Sequence, residues 1–331
     1  MLRRVKTLDT KLASLAANPG GPEFIICYAA DPDMGGGLRP TVAQGVEPQA
    51  WRDEMAAVVD KGDIDILLAS VATMDDLVRN RHLFDDSPVT AAIRANDTTD
   101  IWHIRGSSYA TKPSRPFATT TVREGMYGTL NPAPDQAVDV PLGLWSITFN
   151  NDIDADEASL LRYRDFRQEA AAEGFRHFVE VFNPNVEAGL DGSVGDYVND
   201  CIARMLAGVP RASGPEFLKV AYNGPKALED LVTGLDVTVG VLGGPASTTN
   251  DSFTLVRDVK KYGARVALFG RRIKETDSPI IFTELLRAVA DDQIEPDDAC
   301  REYHGRLAAA GITPTRTLED DLVIHTPELI G

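Results

Sequence analysis

The sequence predicts a (β/α)8 TIM barrel, and three observations carry that expectation. Eight short apolar runs alternate with amphipathic helical stretches along a chain of 331 residues, the pattern of parallel strands joined by crossover helices. Glycine-rich stretches, GGPASTT and FGRR, follow the seventh and eighth runs, the place where such barrels often bind phosphate. The length also falls in the range of α/β barrels. A doubly wound open sheet is the rival, since six of the eight runs would suit it. Strict alternation through all eight favours the closed form.

The start, MLRRVKTLDTKLASLA, is basic and amphipathic without an apolar core, so it reads as a helix and not as a secretory signal. The expected strands are FIICYA (24–29), DILLAS (65–70), VTAAIRA (89–95), LGLWSITF (142–149), RHFVEVF (176–182), EFLKVAY (216–222), VTVGVL (237–242) and RVALF (265–269). Between them lie helical stretches at 49–61, 157–174, 196–208, 226–234 and 252–263. Asn250, Asp251 or Ser252 is expected to cap the last of these, and Gly174, Gly234 and Gly263 to close their helices. Residues 30–47 form a long loop whose glycine triplet suggests a mobile lid, and 96–138 a Ser/Thr/Pro-rich insertion. After 279 come the last barrel helix, an extra helix near 295–310 and a polar tail. The whole of 1–331 is expected to be one domain, with its barrel core at about 22–291 and a C-terminal helical extension at 292–331.

Apolar residues make up 43% and charged residues 25%, enough for a sizeable core. A net charge of −17 argues against nucleic acid or an anionic membrane surface as the main partner. No run is long enough to span a membrane. The three cysteines, Cys27, Cys201 and Cys300, are scattered and lack CxxC spacing, which suits a reducing, cytoplasmic setting without structural zinc. Five histidines show neither HxH nor HExxH spacing.

In a barrel of this kind chemistry sits at the carboxyl ends of the strands. Side chains two apart share a face. Lys219 therefore shares a face with Phe217, Glu180 with Phe178, and Arg94 with Asn96, while Asp31 closes the first strand. A lysine inside PEFLKVAYNG is unusual, because burying an unpaired ammonium is costly. Either it forms an internal ion pair with Glu180, or it reacts. Desolvation disfavours the ammonium form of a lysine, and a neutral amine attacks carbonyls to give an electron-withdrawing iminium. A carboxylate beside it can move the protons. Glycines at Gly243, Gly244 and Gly270 let backbone amides approach a phosphate, with Arg271 and Arg94 as charged ligands.

These residues, in this order, are similar to those of the class I, Schiff-base aldolases of the deoxyribose-phosphate and archaeal-type fructose-bisphosphate aldolase superfamily. The resemblance covers roughly 20–290 outside the insertion. It rests on FLKVAYNG on strand six, CYAAD on strand one, VLGGPASTT after strand seven and ALFGRRI on strand eight. It implies that Lys219 forms the imine and that Asp31 and Glu180 act as acid and base. Gly243, Gly244, Ser247, Gly270 and Arg271 hold phosphate by the same resemblance. It implies no metal or organic cofactor, a phosphorylated sugar as substrate and a homo-oligomer. One departure is visible: where archaeal-type members carry a strand-five tyrosine before proline as proton donor, VEVFNPN places Asn183. Asn is not an acid; Glu180 takes that role. An isomerase or epimerase using the same carboxylates, and a sugar-phosphate binding protein without activity, are the alternatives.

Overall fold

The computed structural model describes residues 5–36, 38, 47–97 and 106–330. Eight parallel strands close into a barrel in sequence order. They are β1 (Ile25–Ala30), β2 (Ile66–Ala69), β3 (Thr90–Arg94), β4 (Leu142–Thr148), β5 (Arg176–Phe182), β6 (Phe217–Val220), β7 (Thr238–Leu242) and β8 (Val266–Phe269). Each lies within two residues of its expected run. Closure is made by β1 against β8, in the register Ile25 with Val266 through Tyr28 with Phe269, so the open-sheet alternative is excluded.

Period-2 alternation divides the apolar residues into two cores. Outward side chains such as Trp145, Ile147, Val179 and Leu218 pack against the helices, whereas Cys27, Leu68, Ala92, Leu144, Phe178, Phe217 and Leu268 fill the interior. The floor of the barrel is closed by α1 (Thr7–Ala17), whose Leu8 and Leu15 join the interior cluster. An apolar stripe on a short helix is thus buried where an eight-stranded ring would otherwise admit water.

Among the described residues the other α-helices are α2 (Pro32–Gly36), α3 (Pro48–Lys61), α4 (Val71–Asp75), α5 (Val122–Tyr127), α6 (Ile153–Glu173), α7 (Val194–Leu206), α8 (Pro225–Gly234), α9 (Thr249–Lys261), α10 (Arg271–Lys274), α11 (Pro279–Ala290), α12 (Pro296–Ala309) and α13 (Leu318–Asp321). Gly174 closes α6 in the left-handed conformation, as expected. The expected cap of α9 needs correction. Thr248 caps it, its hydroxyl accepting from the Asp251 amide, and Asn250, Asp251 and Ser252 lie buried inside the helix. Among its described residues the insertion holds the helix α5, set by a capping box between Thr121 and Glu124. Most of the loop expected to be a lid, 37–46, lies outside the described residues apart from Leu38. Among the described residues no helix is long and apolar enough to cross a membrane.

Candidate active site

At the carboxyl end of the barrel the interior changes from apolar to charged within one residue step per strand. Phe178 and Phe217 stack with their ring centroids 4.5 Å apart. Two residues further along the same strands stand Glu180 and Lys219, paired in the β5–β6 register. The Lys219 Nζ lies 2.6 Å from Glu180 Oε1, and both side chains are almost completely buried, at 7% and 2% exposure. The sequence left open an ion pair or a reactive amine. The structure makes the pair, and the arrangement serves both. Moving one proton across 2.6 Å converts ammonium and carboxylate into amine and carboxylic acid.

Glu180 is held from its other side as well. Its Oε2 accepts from the Ser146 hydroxyl at 2.8 Å and from Arg94 Nη2 at 3.4 Å. Arg94 Nη1 donates to Ser146 Oγ at 3.0 Å, and Arg94 Nε donates to Asp31. Asn96 fixes the Ser146 backbone, donating to its carbonyl at 2.9 Å and accepting from its amide at 2.7 Å. Asp31, Arg94, Ser146, Glu180 and Lys219 thus form one connected group drawn from β3, β4, β5, β6 and the end of β1. Two carboxylates face two cations, so its formal charge is balanced. Burial alone would raise the Asp31 carboxyl, but the Arg94 guanidinium and then the Lys219 ammonium outweigh it, and the group is held below the usual carboxylate range.

Arg94, which the sequence offered to a substrate phosphate, is 3% exposed and donates to Asp31, Ser146 and Glu180. Ser146 was missed: its hydroxyl sits inside the apolar run LGLWSITF, and only the inward parity it shares with Leu144 and Thr148 could have marked it. The strand-five asparagine pairs with Asn223 through both amides, at 2.8 and 3.0 Å, tying the ends of β5 and β6 together.

The glycine-rich loops lie at the ends of β7 and β8. Gly244 has φ +68°, a conformation that favours glycine. Gly270 is required for another reason: a Cβ there would lie 2.6 Å from the Ala29 carbonyl oxygen, on the strand that closes the barrel. The Ser247 hydroxyl donates to Asp251. The C-terminal segment packs over the same region. Asp251 accepts from the amides of His325 and Thr326 at 3.2–3.3 Å, Thr248 donates to the Val323 carbonyl at 2.7 Å, and Asp321 accepts from the Thr249 amide at 2.8 Å. Thus the start of α9 is occupied by the protein's own carboxylates. Of the two arginines after β8, Arg272 is buried and bonded to the Gly243 carbonyl, Ser252 and Thr326. Arg271 is exposed. A cavity of about 410 Å³ lies between Gly243–Ser247, Tyr222, Arg272 and Thr326.

No protein-family model and no curated protein matches the chain. Solved structures do. An archaeal fructose-1,6-bisphosphate aldolase superposes with a TM-score of 0.62 at 16% identity, over 86% of this chain and 100% of that one. A fructose-bisphosphate aldolase from Slackia heliotrinireducens gives 0.67 at 14% identity, over 90% and 91%. An archaeal fructose-1,6-bisphosphate aldolase whose catalytic lysine is covalently bound to the carbinolamine intermediate of its substrate gives 0.60 at 16%, over 86% and 100%. At these identities the likeness establishes the barrel fold.

Proposed function

We propose that the protein is a class I Schiff-base aldolase that cleaves or forms a carbon–carbon bond in a phosphorylated ketose or related sugar phosphate through an imine at Lys219. One observation carries this reading: a nearly buried lysine amine at a strand end, 2.6 Å from a carboxylate that is itself fixed by Ser146 and Arg94. Stability alone gives little reason for such a group, since a well-packed apolar interior serves as well or better. The solved aldolases of similar fold, one of them trapped on its lysine, support the same reading.

In the proposed cycle Glu180 takes a proton from Lys219, and the neutral amine adds to the ketone carbon. Glu180 returns the proton to the carbinolamine oxygen, which leaves as water, and an iminium remains. A carboxylate, Glu180 again, then accepts the proton of the hydroxyl beyond the scissile bond. The bonding pair of that C–C bond moves onto the iminium to give an enamine, and the aldehyde departs. Protonation of the enamine carbon and addition of water release the second product and restore the amine. Asp31 is the second carboxylate available for these transfers, and its bond to Arg94 keeps that guanidinium beside Glu180. The substrate phosphate is assigned to the Gly243–Gly244 backbone and Arg271, with Gly270 allowing the close approach of β8 to β1. The chemistry draws on an amine and carboxylates and calls for no cofactor. A single-domain organisation, a cytoplasmic location and a homo-oligomeric state belong to the same proposal.

Borohydride reduction in the presence of a ketose phosphate tests it. An intact-mass increase matching a reduced adduct, mapped to Lys219 and lost in Lys219→Ala, is the expected result. Substrate turnover by a wild-type protein that resists borohydride would overturn the imine and leave the isomerase or epimerase alternative.

A further inference from the structure

Outside the ring of strands, α12 packs against α9 and α13 and brings three side chains of different chemistry to one point. Cys300 and His304 stand one turn apart on α12, so they share a face. Asp321 ends α13. Its Oδ2 lies 3.0 Å from His304 Nε2 and 3.9 Å from Cys300 Sγ, and the three ligand atoms fall within 4.8 Å of one another. Cys300 Sγ is also 3.5 Å from the Asp321 carbonyl. Cys300 and Asp321 are buried, while the His304 side chain is 11% exposed, so the cluster reaches solvent past the imidazole.

A thiol, an imidazole and a carboxylate are the three donor types that zinc accepts together, whereas calcium and magnesium take oxygen ligands. The distances suit that ion. Bonds of about 2.0–2.3 Å in a tetrahedron set the ligand atoms about 3.3–3.6 Å apart, and the 3.0 and 3.9 Å here bracket that range. The carboxylate is also oriented from behind, because its Oδ1 accepts from the Thr249 amide at 2.8 Å, with the half-exposed Arg316 3.9 Å away. An outer hydrogen bond of this kind fixes a ligating group. Charge closes as well: one thiolate, one carboxylate and a neutral imidazole cancel a divalent ion, as a buried site requires.

We propose that Cys300, His304 and Asp321 bind one zinc ion, with the fourth position left to water. Binding displaces the thiol proton to solvent and ties α12 to residues 321–326, the segment that covers the start of α9. Scattered cysteines argued against structural zinc from spacing alone; the third ligand comes from the next helix and is visible only in the fold. Cobalt(II) titrated into the full chain reads the site. The expected result is a sulfur-to-cobalt charge-transfer band that saturates at one ion per chain, is displaced by zinc and is absent in Cys300→Ser. Zinc at about a hundredfold excess over its dissociation constant should raise Tm by about 5 °C in the wild type and leave Cys300→Ser unmoved. His304→Gln alters the ligand nearest solvent and should weaken the ion about tenfold or more, which keeps the test intact should Cys300→Ser fail to fold. A wild type without the band, a band that persists in Cys300→Ser, or an unchanged dissociation constant in His304→Gln overturns the inference.

Discussion

Replacing Glu180 with glutamine removes one charge and almost nothing else. The amide keeps the shape of the side chain and keeps an oxygen for Ser146 or Lys219, so packing is preserved. What changes is the balance. Lys219 and Arg94 would face Asp31 alone, in surroundings where the four side chains are 2–13% exposed. At 2.6 Å and an effective dielectric of about 20, the lost attraction to Lys219 is roughly 6 kcal/mol. Returning the carboxylate to water in the unfolded wild type recovers several kcal/mol, so the net lies below that figure. Buried pairs broken by removing one partner cost about 3–5 kcal/mol. In a chain of this size that is a fall in Tm on the order of 10 °C. Turnover falls further, by about 10²–10⁴-fold, because the group that moves protons is gone. Calorimetry and a steady-state assay on the same preparation check both. A variant melting within about 2 °C of wild type, or turning over within a few-fold of it, would show that Glu180 is neither the ammonium's partner nor the proton carrier.

Four further outcomes follow from the same coordinates. Ser146→Ala removes hydrogen bonds of 3.0 and 2.8 Å to two charged groups and should lower stability by about 2–4 kcal/mol in chemical denaturation, slowing turnover without abolishing borohydride trapping. Gly270→Ala drives a methyl against the Ala29 carbonyl at the barrel seam and should destabilise by roughly 1–3 kcal/mol; an unaffected midpoint would place the strain elsewhere. Burial, and then the Arg167 guanidinium, push His177 down to about 4, against about 6.5 in the unfolded chain. Between those values the unfolded state binds more protons, so stability is full above about pH 6.5 and falls as pH drops through the window, by about 3 kcal/mol in all. His177→Gln should flatten that slope. Arg271→Ala should raise KM for a phosphorylated substrate roughly tenfold with kcat little changed, since a charge-assisted contact made equally in ground and transition states is lost; a fall in kcat at constant KM would refute the phosphate assignment.

The strands were legible because each is a short apolar run bounded by turn residues, and parity alone put Lys219, Glu180, Arg94 and Asn96 on inward faces. Parity does not say which partner a side chain meets across the barrel. Arg94 was read as a phosphate ligand for that reason; its partners come from β1, β4 and β5, none near it in sequence. Ser146 was hidden by its neighbours, since one hydroxyl barely alters the hydropathy of LGLWSITF. The α9 cap is local: Thr248 accepts from the Asp251 amide three residues on, a spacing present in the sequence and unused. The packing of residues 321–326 over the start of α9 comes from more than 70 positions away, and no local pattern announces that contact. In α5 the signal was present and unused: Thr121 and Glu124 have capping-box spacing.

The balanced group also constrains how a phosphate can be bound at all. Had Arg94 been free, the barrel mouth would hold a net positive charge able to receive a phosphate directly above the amine. With both of its cations matched by carboxylates, the interior offers a dianion nothing, and the surrounding chain of net charge −17 repels it. The proposed phosphate site, at the Gly243–Gly244 backbone and Arg271, accordingly lies beside the amine instead of on top of it. That separation keeps Lys219 paired with one carboxylate, so a bound phosphate does not compete for its proton, and the amine can be released at the carbonyl carbon by a single transfer to Glu180.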